Sequence, residues 1–128
     1  MSNLELRSSA PLPLPSNTAT FTGDLTYYTP ALGACGVDSK ETELVCAVSR
    51  IIYDAASVSS NPNENPLCGK MLRIQRTDAS GTTRSIDVKV VDRCEACKAQ
   101  DVDLSPTGFN LLADEALGRV TGSWAWLP

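Results

Sequence analysis

The sequence predicts a mainly β domain in which about six short strands close into a barrel and carry one or two short helices. Three observations lead there. Several short segments alternate apolar with polar residues or are rich in β-branched and aromatic ones, and Gly-, Pro- and Asn-containing connections separate them. One segment carries the start signature of a short helix. At 128 residues, 42% of them hydrophobic, the chain can build one modest core. Short strands in a chain of this size hide their edges best by closing on themselves.

The elements follow in order. Residues 1–20, rich in Ser, Pro, Thr and Asn, lack any period and read as a flexible lead-in. "FTGDLTYYT" from Phe21 is β-branched and aromatic, hence a strand. "PALGACG" is a turn or a close backbone approach. "ELVCAVSRII" starts as an apolar strand and turns helical near Ser49. "SSNPNENPLCGK" is a loop. "MLRIQRT" and "RSIDVKVVD" both alternate, and "DASGTT" joins them into a hairpin. "SPTGFNLLADEA" is a short helix with Ser105 as N-cap and Pro106 in its first position; Phe109, Leu112 and Ala113 share its apolar face. "GRVTGSWAWL" closes the domain as a strand that sets Val120, Trp124 and Trp126 on one side, with core packing expected for at least one tryptophan.

Composition excludes several functions. Eleven Lys and Arg stand against fifteen Asp and Glu, a net charge of -4 with no basic cluster, so nucleic acid is not an expected partner. No apolar run approaches the roughly 20 residues of a membrane helix. The absence of histidine removes the commonest general base and metal ligand. Five cysteines in so small a domain point to an oxidising compartment, and an odd number leaves one unpaired. The N-terminus lacks the apolar stretch of a signal peptide, so the expectation is a chain whose leader has been removed.

Two features carry chemistry. Asp92 and Asp103 bracket the "CEAC" of Cys94 and Cys97. That pair of cysteines is open to three readings: a redox motif, half of a zinc site with Cys35 and Cys68, or a small disulfide loop. No helix begins at Cys94 and no second Cys-x-x-Cys follows, which weighs against the first two. Cys46, inside "LVCAVS", reads as a buried thiol packing as a small hydrophobe.

Four segments in order, "GDLTYYTP" with "GACG", "NPLCGK", "VVDRCEACKAQDVDLSPTGFNLLA" and "GRVTGSWAW", resemble the six-stranded double-psi β-barrel of small secreted fungal expansin-related proteins, the loosenins. Expansin N-terminal domains, barwin, rare lipoprotein A-like proteins and family 45 endoglucanases are more distant relatives, and a bacterial papain inhibitor shares the barrel. The resemblance covers residues 21–128. It implies bridges Cys35–Cys68 and Cys94–Cys97, with Cys46 free. It places Asp92 and Asp103 at the site, where the related endoglucanases use the second as general acid. Their base lies on the first strand; here the only acid there is Asp24, on the face of Thr26, and it is not assigned as base. Thr26 and Tyr28 match groove residues, a hydroxyl partner and a sugar platform, while Tyr27 points away.

The resemblance thus implies an extracellular, monomeric protein without metal or cofactor. It would loosen a wall polysaccharide such as cellulose or chitin without hydrolysing it, and so would not be an enzyme. Its partners would be poly- or oligosaccharides. The alternative is an inhibitor of a papain-like cysteine protease, or an effector, on the same barrel.

Overall fold

The computed structural model describes residues 11–128; the lead-in expected over residues 1–10 lies outside the described residues. Six strands, β1 (Phe21–Tyr27), β2 (Val45–Ser49), β3 (Met71–Thr77), β4 (Thr83–Cys94), β5 (Val102–Leu104) and β6 (Val120–Trp126), close into a barrel in the order β1-β5-β2-β4-β3-β6. β1 runs parallel to β5 and β2 parallel to β4; every other neighbouring pair is antiparallel. This is the closed barrel that the strand pattern predicts and the double-psi β-barrel that the family resemblance implies. Residues 11–20 form neither strand nor helix, but Leu12 donates its N–H to Ser85 Oγ at 2.7 Å and the Pro13 carbonyl accepts from Arg73 at 3.0 Å.

Local chemistry explains the helices. Helix α1 (Arg50–Ala55) begins where Ser49 Oγ accepts the Ile51 N–H. Helix α2 (Pro106–Leu112) starts at Ser105, whose Oγ accepts from Gly108, with Pro106 pre-setting the first turn. It is shorter than "SPTGFNLLADEA" suggests. Ala113 is extended, and Asp114 then caps a separate 3-10 turn, Glu115–Leu117, by accepting the Ala116 N–H. A capping carboxylate here ends one helix and starts another.

The barrel interior holds Leu25, Cys46, Val48, Leu72, Ile74, Val88, Val90, Leu104 and Trp124, closed at one side by Phe109 and Leu112 of α2. Val102 is fully buried among them. Of the two tryptophans, Trp124 is core and Trp126 is half-buried, meeting Trp124 edge-on at 5.3 Å.

One close approach shapes the site described next. A Cβ on Gly23 would lie 2.1 Å from the Gln100 carbonyl oxygen, so only glycine lets the 98–101 turn lie flat on β1. Gly23→Ala should therefore displace that turn and cost about 1–3 kcal/mol, the usual penalty for overpacking a tight contact. A lowered urea midpoint at unchanged slope would register it; an unchanged midpoint would mean that the turn yields freely.

Candidate functional site

Strand register assembles the site. Thr26 of β1 faces Asp103 of β5, Asp103 faces Ala47 of β2, and Ala47 faces Asp92 of β4. The four residues form one row across the barrel wall, and neighbours in a row share a face. The row depends on an irregularity. Between Cys46 and Ala47 the β2–β4 register jumps from Val90 to Asp92, leaving Val91 as the extra residue of a bulge. With regular pairing Val91 would face Ala47 and Asp92 would point to the other side.

The bulge is braced by both loops that the Cys35–Cys68 disulfide ties together. Cys35 N–H donates to the Val91 carbonyl at 3.2 Å, and Gly69 N–H to the Val90 carbonyl at 2.9 Å. Next to Cys35, the Ala34 N–H donates to Asp92 Oδ1 at 2.8 Å. Gly33 makes room for this: a Cβ there would fall 2.4 Å from the Val91 carbonyl oxygen and 3.0 Å from Asp92 Cγ. The other bridge, Cys94–Cys97, closes a four-residue loop, and Cys46 is a buried free thiol. Both pairings are those the resemblance implied. Among the described residues no group of three or more His, Cys, Asp or Glu side chains is arranged to hold a metal ion.

A cleft opens beside this row at Thr26, with Asp101 the one aspartate of its lining; Asp92 and Asp103 stand in the row and Asp24 on β1, and the partners of the four set them apart. Asp101 is nearly buried and accepts two backbone N–H groups, from Asp24 on Oδ1 at 3.0 Å and from Lys98 on Oδ2 at 2.9 Å. Asp92 Oδ1 accepts two more, from Ala34 and Arg93, both at 2.8 Å. Asp24 Oδ2 accepts from Arg119 at 3.0 Å. Asp103 has a different partner: the Thr26 hydroxyl, 2.9 Å from Oδ1. Burial pushes the Asp103 carboxyl above the ordinary carboxylate range; the Thr26 hydroxyl and the Arg119 guanidinium pull it back in part, and the Asp92 charge adds to the rise.

The cleft itself, about 300 Å³, is lined by Thr26, Tyr27, the Cys94–Cys97 loop, Asp101 and Arg119. The two tyrosines differ in exposure. Tyr27 is the exposed one, 37% accessible, with its hydroxyl donating to the Glu115 carbonyl at 3.2 Å and its ring against Phe109 at 4.9 Å. Tyr28 is half-buried, and its hydroxyl is buried without a hydrogen-bond partner among the described residues. Burial, then Asp92, the Cys46 thiol and Asp103, all hold its phenol in the protonated form. One residue past the end of β1, the Tyr28 N–H still donates to the Leu104 carbonyl of β5 at 2.9 Å.

Asp101 and Arg119 are site residues the sequence reading passed over. Asp101 had a signal, since it precedes Asp103 by an even offset in "DVD". Arg119 had none, because it meets Asp24 across 95 residues of chain.

No protein-family model matches the chain. The papain inhibitor of Streptomyces mobaraensis is 36% identical over 110 residues, covering 83% of this chain and 71% of that protein. The allergen Asp f 7 homolog of Arthroderma benhamiae is 33% identical over 84 residues, which is 66% of this chain but 26% of that longer protein. Among solved structures, the Streptomyces papain inhibitor aligns with a TM-score of 0.74 at 29% identity, over 91% of this chain and 100% of its own. A mutant Clavibacter michiganensis expansin in complex with cellohexaose aligns with a TM-score of 0.68 at 24% identity, over 86% of this chain and 51% of its own; at that identity the likeness speaks for the fold.

Proposed function

We propose that this chain, which belongs to the expansin-related double-psi β-barrel family that includes the papain inhibitor of Streptomyces mobaraensis, is a secreted protein that binds and loosens polysaccharide without hydrolysing it. The observation that carries the reading is the isolation of Asp103. Its three aspartate neighbours are engaged by backbone N–H groups or by Arg119, whereas its own partner is a single hydroxyl and its pKa is raised. Protonated, Asp103 offers an O–H to a glycan oxygen while Thr26 holds the other carboxyl oxygen. Tyr27, fixed at its hydroxyl and along its ring, offers an aromatic face for a sugar. Hydrolysis also needs a base or nucleophile aimed at the anomeric carbon. Asp24 is the acid on β1, and Arg119 occupies it. The polymer's contacts would be exchanged for contacts to the protein, and its glycosidic bonds left intact.

Inhibition of a papain-like protease is the second reading. The 36% identity to the papain inhibitor favours it, as does the stiffness of the 61–70 loop. Asn61 and Asn65 each accept a backbone N–H two residues on, Asn65 Nδ2 donates to the Tyr53 carbonyl at 2.6 Å, and the Cys35–Cys68 bridge anchors the loop. A loop held this way loses little entropy on entering a protease cleft.

Parallel assays separate the readings. The protein should co-sediment with insoluble cellulose or chitin, swell or weaken it, and release no new reducing ends. New reducing ends abolished by Asp24→Asn would make it a hydrolase. Papain inhibition without any sedimentation would put the second reading first.

A further inference from the structure

We infer that the chain carries a second ligand site, separate from the acidic cleft, for a small neutral aromatic molecule with one hydrogen-bonding oxygen. On the far side of the 99–100 turn lies a pocket of about 220 Å³ whose floor and walls are the rings of Phe21, Trp124 and Trp126. Ile52 of α1 and Leu67 complete the apolar lining, and no titratable side chain faces into it. Both tryptophans of the chain therefore meet at one cavity. Phe21 and Trp124 are already 4.7 Å apart and tilted, Trp124 and Trp126 edge-on at 5.3 Å, so a further ring entering the pocket beside them finds faces and edges to stack on.

Size and polarity narrow the ligand. An apolar cavity of about 150 Å³ holds benzene, so this pocket takes one ring with a substituent. The space exists because Ala56 and Ala99 line it where larger side chains would fill it. The polar inventory is short. The Trp124 indole N–H is spent on the Gln100 carbonyl at 2.9 Å, and Gln100 Oε1 accepts the Thr22 N–H at 3.2 Å. The Gln100 side-chain amide N–H₂ has no partner among the described residues and can serve one oxygen at the rim. A phenol meets that description. A sugar does not, since each hydroxyl beyond the first would be stranded against apolar walls. A ring bearing a carboxylate would bury its charge among lining residues none of which is cationic; Lys70 Nζ lies over the Trp126 ring, 5.8 Å from its centroid, outside that lining.

The test uses the full chain with 4-methylphenol as probe, read by the two indole N–H resonances in an NMR titration. Both should move and saturate. Ala99→Leu, or Ala56→Leu if the first does not fold, should weaken the response about tenfold or more, equivalent to about 1.4 kcal/mol. Asp103→Asn should leave it intact, which separates this site from the proposed polysaccharide cleft. The inference fails if neither indole moves, if both leucine variants respond like the wild type, or if glucose or benzoate shifts the indoles as strongly as 4-methylphenol.

Discussion

Asp103→Ala is expected to lower polysaccharide binding and loosening by about five- to tenfold below the Asp103 pKa, the effect of removing one hydrogen bond of roughly 1–1.5 kcal/mol from the point of contact, and the gap to the wild type should narrow as pH rises through that pKa. Asp103→Asn should behave differently, because it keeps the shape, an acceptor for Thr26 and an N–H donor. Wild-type activity depends on the protonated carboxyl, so it should decline as pH rises through the Asp103 pKa, which burial holds above the ordinary carboxylate value. The asparagine variant should show a flatter profile. Stability gives an independent check with its own sign. A carboxyl whose folded pKa is raised contributes stability below its unfolded pKa and loses it as pH rises through the folded one. Asp103→Asn should therefore be more stable than wild type at neutral pH, with the gap closing on acidification. Fibre-weakening assays and thermal melts across the acidic range would measure both. Two variants matching the wild type in binding would make Asp103 a purely structural residue.

Removing the Cys35–Cys68 bridge should have the largest effect on the fold. The cysteines are 33 residues apart, and closing a loop of that length in the unfolded chain is worth about 3–4 kcal/mol in the chain-entropy description. The double variant Cys35→Ala with Cys68→Ala should melt roughly 10–20 °C lower. Opening Cys94–Cys97, only three residues apart, should cost clearly less. The first loss has a functional component as well. Cys35 and Gly69 hold the β4 bulge, and the bulge sets Asp92 in the row with Asp103. At a temperature where both remain folded, the double variant should bind polysaccharide more weakly than the Cys94→Ala, Cys97→Ala variant. The reverse order would mean that the short loop, not the bulge, organises the cleft.

Periodicity and capping were strong where elements are long. The β3–β4 hairpin, the strand-to-helix change at Ser49 and the Ser105–Pro106 helix start all stand where alternation and side-chain oxygens place them. β5 was invisible as an element, since Val102–Leu104 is three residues long and too short to display a period. The site was legible as residue types but not as geometry. Asp92 and Asp103 share one row because β1, β5, β2 and β4 align Thr26, Asp103, Ala47 and Asp92. That alignment rests on the bulge at Val91, and nothing in "VKVVDRC" marks it.

The most direct test follows the Asp103 carboxyl itself. Its side-chain carbon can be titrated by NMR in the free protein and with a saturating neutral β-linked glucan oligosaccharide. If protonated Asp103 donates to the glycan, linkage requires the ligand to raise the pKa of that carboxyl. The expected result is a pKa above the ordinary aspartate value in the free protein and higher still in the complex. An Asp103 that titrates normally when free, or that the bound oligosaccharide leaves unmoved or shifts downward, would contradict the role assigned to it.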